Sequence, residues 1–201
     1  LSYTDQYVQP VKKNNIRIEA HGYSIFYEKY FFPKKMKNFN ILELGSFYGN
    51  AAAAIYFFFK NSKIYSGDIF PDLFRYKSER IKNFYIDTSE EKSINTFVKK
   101  QQIEFDIIIE DAGHFFKHQI ISLFILFKTL KSKGLFVIEE LDFPDTRLDM
   151  NINNEKPTLR SILLSIKENK DFKSQYILDE QKKYFLNYFN SIEIYKGLKN
   201  E

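Results

Sequence analysis

From residue 40 onward, short apolar runs rich in β-branched and aromatic residues alternate with longer stretches whose apolar positions recur at helical spacing. That alternation predicts an α/β domain built on a largely parallel sheet. Seven strands are expected, over residues 40–44, 63–68, 83–86, 105–110, 134–140, 175–178 and 191–195. Asp106-Ile-Ile-Ile109 and Leu135-Phe-Val-Ile138 are apolar without alternation, as required of central strands covered by helices on both faces. The last two runs are more mixed and predict an antiparallel edge. Stretches 50–59, 72–80, 90–101 and 116–130 have the length and spacing of crossover helices.

Upstream, residues 22–37 carry Tyr23, Phe26, Tyr27, Tyr30 and Phe31 along one helical face, which reads as core packing. Residues 142–156 are polar, rich in Asp and Asn, and follow the strongest strand end, so a mobile loop over a site is expected there. The organisation expected is one domain: a helical segment over 1–39, a ligand-binding core over 40–141, the loop, then a helix and edge strands over 157–201. A chain of 201 residues, 44% hydrophobic, is long enough to close one substantial core.

Composition narrows the function more than the fold. There is no cysteine, which removes disulfides, thiolate metal sites and a cysteine nucleophile, and fits a reducing compartment. The apolar stretches 51–59 and 120–127 fall well short of the roughly 20 residues that cross a bilayer. Residues 1–10 do not read as a signal peptide, and a cytoplasmic location is expected. The formal charge of +4 arises from 30 basic and 26 acidic residues spread along the chain. Solvated faces explain it better than a nucleic-acid patch.

The first strand runs into Glu43-Leu-Gly-Ser-Phe-Tyr-Gly49 and then into an alanine-rich helix. A strand, a glycine turn and a helix in that order suit a nucleotide-like ligand. Gly45 allows a tight turn and Gly49 a close approach to the backbone, with Ser46 between them. Asp68 closes the next strand 23 positions after Gly45, where a carboxylate can accept hydrogen bonds from ribose hydroxyls. The E-x-G-x-x-x-G spacing departs from the G-x-G-x-x-G of pyrophosphate cofactors and resembles that of class I methyltransferases. Asp87, after the third strand, reads equally well as an adenine contact or as a helix N-cap shared with Thr88 and Ser89.

The densest chemistry lies in Ile107-Ile-Ile-Glu-Asp-Ala-Gly-His114 and, 25 positions after His114, in Glu139-Glu140. Both clusters leave the carboxyl ends of strands, the edge at which open α/β sheets bind ligands. Carboxylates converging there repel one another unless a cation sits between them, and oxygen donors suit a hard divalent ion such as Mg2+. Asp111, Glu139 and Glu140 are the expected ligands. His114 is the expected general base, with metal ligand and helix cap as the other readings. His118 is expected in an outer or surface role, and Glu110 facing water, pointing away from the site or touching the cofactor.

These motifs resemble the metal-dependent sugar O-methyltransferases that act on macrolide glycosides, and related enzymes of polysaccharide biosynthesis. The resemblance spans residues 19–196. It rests on His21-Gly-Tyr23, Tyr27-Glu28, Leu42-Glu-Leu-Gly45, Gly67-Asp-Ile69, Ile109-Glu-Asp-Ala-Gly-His114, Leu130-Lys-Ser-Lys-Gly134 and Val137-Ile-Glu-Glu-Leu141. It implies a Rossmann-like class I methyltransferase fold and S-adenosylmethionine bound by Glu43, Gly45, Gly49 and Asp68, with Ser46, Asp87 and Asp111 expected beside them at the cofactor. It also implies Mg2+ on Asp111, Glu139 and Glu140, with His114 as base. The chain departs from the family at Glu110, where a second aspartate is common, and at Lys133, where a second glycine is common. The part before residue 40 is expected to be too short for the extra domain that larger macrolide enzymes use in assembly.

The function expected is therefore methyl transfer to a sugar hydroxyl, free or glycan-linked, of a surface polysaccharide or glycoside. A catechol-type small-molecule O-methyltransferase and a non-catalytic binding protein of the same fold are the alternatives. Homo-oligomerisation is left open.

Overall fold

The computed structural model describes residues 21–198 and 201; the expectation for residues 1–10 lies outside them. Five strands form the sheet among the described residues: β1 Asn40–Leu44, β2 Lys63–Asp68, β3 Ile81–Tyr85, β4 Phe105–Glu110 and β5 Leu130–Ile138. Their order is β3-β2-β1-β4-β5, and every pairing is parallel. Both faces are covered. On one, Phe59, Ala52 and Ile55, from α2 (Asn50–Phe58) and its C-cap, pack with Phe31 of α1 (Ser24–Phe31) on Ile41, Ile64, Ile107 and Ile109. On the other, Ile94 and Phe97 of α3 (Glu91–Gln101) and Ile121 and Ile125 of α4 (Phe116–Leu126) pack on Leu42, Leu44, Tyr65 and Ile108. Burying each such side chain contributes roughly 1.5–3 kcal/mol, which favours unalternated apolar strands at the centre.

The expected seven-stranded sheet with an antiparallel edge is corrected to five parallel strands. Residues 175–178 form a turn, because Tyr176 and Gln175 donate side-chain hydrogen bonds to Glu155 Oε2 at 2.7 and 3.1 Å. Residues 191–195 run without pairing, held by side chains instead. Ile192 and Ile194 pack on the cluster around Leu163 and Phe185, and Tyr195 stacks on Phe26 at 4.5 Å. They face β5 across a cavity of about 1160 Å³.

Two further expectations change. The helix expected over 72–80 is a single 3₁₀ turn, Pro71–Leu73, followed by extended chain. Residues here bond sideways, Arg75 N–H to Tyr48 O at 3.2 Å, and the Arg80 guanidinium donates to the carbonyls of Phe59, Ser62 and Tyr56. β5 begins at Leu130, not 134, and carries an irregular bulge opposite Asp106 before Leu135 pairs with Ile107. Lys131 pairs with Asp106 there at 2.9 Å. Glu139 and Glu140 consequently stand just past the strand.

After β5 the chain forms α5 (Phe143–Thr146) and a 3₁₀ turn, Leu148–Met150, within the stretch expected to be a loop. Asp145 accepts from Thr158 Oγ1 at 2.9 Å and from Lys156 at 2.8 Å. Helix α6 (Leu159–Lys167), N-capped by Thr158, and α7 (Asp179–Tyr188) pack against α4. No helix among the described residues is long and apolar enough to cross a membrane.

Candidate active site

The parallel order places the ends of β1, β2, β4 and β5 along one sheet edge. At its centre, Gly45 leaves β1 at φ +87°, and its amide donates to Gly67 O at 2.8 Å. A Cβ built on Gly45 would lie 2.0 Å from the Asp111 carbonyl oxygen. The residue therefore locks the end of β1 against the end of β4. Gly49, at φ +83°, is the N-cap of α2. Ser46 is buried, its hydroxyl 3.4 Å from the carbonyls of Glu43 and Gly67.

Asp68 closes β2 and accepts from two backbone amides, Phe47 N at 2.7 Å and Phe70 N at 2.8 Å. Each carboxylate oxygen has a further lone pair for a ribose hydroxyl. Asp87 accepts from Ser89 N and Oγ at 2.8 and 2.6 Å, a local Asx turn. The N-cap of α3 is Glu90, without a side-chain cap. The N-cap reading of Asp87, Thr88 and Ser89 is thus replaced by a turn one step earlier.

Glu139 and Glu140, past β5, and Glu43, on β1, are 5%, 2% and 2% exposed, and Asp111 lies close enough to feel the charges of all three. His114 Nε2 lies 3.6 Å from Asp111 Oδ1 and 3.7 Å from Glu140 Oε2. Ligating atoms of Asp111, His114 and Glu140 form one group, and those of His21, Glu139 and Glu140 a second, all within 4.8 Å of one another in each. Glu140 belongs to both, and neither of its buried oxygens has a hydrogen-bond partner with good geometry. The His21 ring nitrogen Nδ1 is nonetheless 2.5 Å from Glu140 Oε1.

Crowding of buried carboxylates shows in their acidity. Burial, then the charges of Glu139 and Glu140, push Asp111 well above the carboxylate range. Burial raises Glu139 to about 7 and Glu43 to about 8. Burial likewise holds the His114 imidazole below its ordinary value, against the opposing pull of Glu140. A neutral imidazole beside a carboxylate cluster is a proton acceptor at neutral pH. Three residues here take left-handed backbone without being glycine: Phe47 at φ +43°, His114 at +53° and Glu140 at +48°. Such conformations cost of order 1 kcal/mol or more each and collect at functional sites.

Glu110 does not face water: it is fully buried, and burial raises its pKa to about 8. His118 stands apart from the acids, 3.4 Å from Thr88 Oγ1 and against the Phe115 ring.

Three participants escaped the sequence reading. His21 was noted only within a motif. Tyr27 was assigned to the aromatic core stripe, yet its hydroxyl donates to Glu139 Oε1. Gln119, fully buried on α4, donates to Glu140 O at 3.0 Å and so holds the turn that follows β5. A glutamine heading the run 120–127, apolar apart from Ser122, was the signal for Gln119.

Comparison with known proteins agrees with this architecture. No protein-family profile matches the chain. Over 128 residues it is 27% identical to the 8-demethyl-8-alpha-L-rhamnosyl tetracenomycin-C 2'-O-methyltransferase of Streptomyces olivaceus, covering 60% of this chain and 33% of that protein. MycE, a methyltransferase from the mycinamycin biosynthetic pathway, superposes with a TM-score of 0.63 in its complex with Mg, SAH and mycinamycin VI. That match has 21% identity and covers 73% of this chain and 42% of MycE. A second MycE structure, with Mg and SAH, also gives 0.63, at 20% identity over 76% of this chain and 42% of MycE. The chain spans about a third to two fifths of these proteins' length. It has the Rossmann-like fold of a class I methyltransferase and, within that class, resembles the S-adenosylmethionine-dependent sugar O-methyltransferases.

Proposed function

We propose that the protein transfers a methyl group from S-adenosylmethionine to a sugar hydroxyl, with a divalent cation, Mg2+ first, assisting. The observation that carries this reading is the convergence of Asp111, His114, Glu139 and Glu140 beside the Glu43–Gly49 turn, on one sheet edge. The proteins it is similar to, a rhamnosyl 2'-O-methyltransferase and a methyltransferase bound to Mg and SAH, support the same chemistry.

The residues fit both groups. Glu140 presents two buried oxygens, one beside the His21 ring and one toward His114, and Asp111 and Glu139 add hard oxygen donors, the set an Mg2+ ion takes. For the cofactor, Asp68 offers a ribose acceptor, Glu43 and Asp111 offer carboxylates, and the Gly45–Gly49 turn brings backbone close. Asp87 retains acceptor capacity toward an adenine amino group.

When bound, the sulfonium supplies an already activated methyl, and the cation lowers the acceptor hydroxyl's pKa. The chain's own part is placement and proton handling. Asp111, Glu139 and Glu140 would hold the cation. His114 Nε2, turned toward Asp111 and Glu140, takes the hydroxyl proton as the oxygen attacks. Alignment of nucleophile and methyl accounts for much of the rate. The Phe143 ring, 5.4 Å from the His114 ring, shields it from solvent. The acceptor we favour is a surface-glycan sugar, methylated in the cytosol.

Transfer of labelled methyl from S-adenosylmethionine to rhamnosides and to catechols, with Mg2+ and with EDTA, tests this. Transfer to the glycosides alone, abolished by EDTA and reduced about 10²–10⁴-fold in His114→Ala, is expected. Preference for catechols, or EDTA-resistant transfer, would contradict it.

A further inference from the structure

The N-terminal helix enters the acidic cluster through one atom. Tyr27 sits on α1 with its ring 4.9 Å from that of Phe31 and packs onto the cluster containing Ile41 and Ile109. Its hydroxyl donates to Glu139 Oε1. Glu139 stands just past β5 on a side chain with three rotatable bonds, among carboxylates that repel it. A phenol has only two such bonds, and here the ring is locked by packing. The helix is also pinned from its other side. Phe26 stacks on Tyr195, the Tyr30 hydroxyl lies 2.6 Å from that of Tyr195, and Lys29 donates to it at 2.8 Å. The Tyr27 hydroxyl is thus a fixed donor.

We infer that Tyr27 is a positioning residue for the proposed cation site: its hydroxyl holds one oxygen of Glu139 and thereby aims the carboxylate that coordinates the ion. The inference rests on the cation reading above. Groups that hydrogen-bond a ligating carboxylate fix its orientation, and losing one typically weakens metal binding about 10–100-fold. The aromatic stripe that marks α1 as a core helix therefore also carries a polar task, which the hydroxyl performs and the ring does not.

The test is calorimetric titration of Mg2+ into the full chain, without acceptor, for wild type, Tyr27→Phe and Phe31→Leu. Tyr27→Phe keeps the ring and removes one oxygen. Phe31→Leu disturbs the same packing and leaves the hydroxyl. Tyr27→Phe is expected to bind Mg2+ about 10–100-fold more weakly, with S-adenosylhomocysteine affinity unchanged. Phe31→Leu is expected to lower the thermal midpoint while keeping wild-type Mg2+ affinity. Wild-type Mg2+ affinity in Tyr27→Phe would overturn the inference and leave the cation reading standing. An equal loss in Phe31→Leu would also overturn it, since packing would then be the cause. No Mg2+ binding by wild type would overturn the cation reading itself, and this inference with it.

Discussion

Lys133 takes φ +64° in the bulge of β5, at the position where the enzymes it resembles often have glycine. A lysine pays for left-handed backbone, whereas glycine adopts it freely but loses more entropy on folding. Lys133→Gly is therefore expected to stabilise the chain by about 0.5–1 kcal/mol, read as a higher urea midpoint. An unchanged or lower midpoint would place the strain elsewhere. Backbone angles of this kind are invisible in a sequence, but side-chain chemistry is not. The nearness of the Asp111–His114 and Glu139–Glu140 clusters was legible because both leave the carboxyl ends of strands that lie side by side in a parallel sheet. Tyr27 and Gln119 were not, because a tyrosine in an aromatic stripe and a glutamine in a helix look like packing until their hydrogen bonds are known.

At the scale of elements, the four strands β1 to β4 were legible to within about two residues, since unalternated apolar runs have one good solution in a doubly covered sheet. The failures have local causes. The bulge hid the start of β5, and Pro71 with the sideways bonds of Arg75 and Arg80 replaced a helix. The apolar pairs Ile192 and Ile194 found side-chain partners without a strand. The β1-to-α2 turn is the least forgiving junction. Gly45→Ala puts a methyl 2.0 Å from the Asp111 carbonyl oxygen at φ +87°, so a loss of about 2–5 kcal/mol is expected from overpacking and backbone strain together. Thermal unfolding of the variant measures it, and a wild-type midpoint would mean that the junction is looser than described.

Across the whole molecule, the burial of several carboxylates couples stability to pH. Burial pushes Glu43 and Glu110 up to about 8 and Glu139 to about 7, from an ordinary 4.5. Between those values the native state binds more protons than the unfolded chain, so stability falls as pH rises. The contribution is intact below about 4.5 and is lost progressively to about 8, with a slope of at most ~1.4 kcal/mol per pH unit for each carboxyl. Cation-free urea unfolding at pH 5, 6.5 and 8 should show a falling midpoint. Mg2+ should restore it most at pH 8, where protons compete least for the ligands. A flat profile would mean that these acids are more hydrated than their burial implies.

In the proposed site, Asp111, Glu139 and Glu140 share one divalent cation beside the Glu43–Gly49 turn. Crystals grown with Mn2+ and S-adenosylhomocysteine, measured for anomalous scattering, test this most directly. One strong peak is expected within bonding distance of carboxylate oxygens from all three residues, with the homocysteine sulfur on the same sheet edge. A peak elsewhere, or none with the three carboxylates ordered, would contradict it.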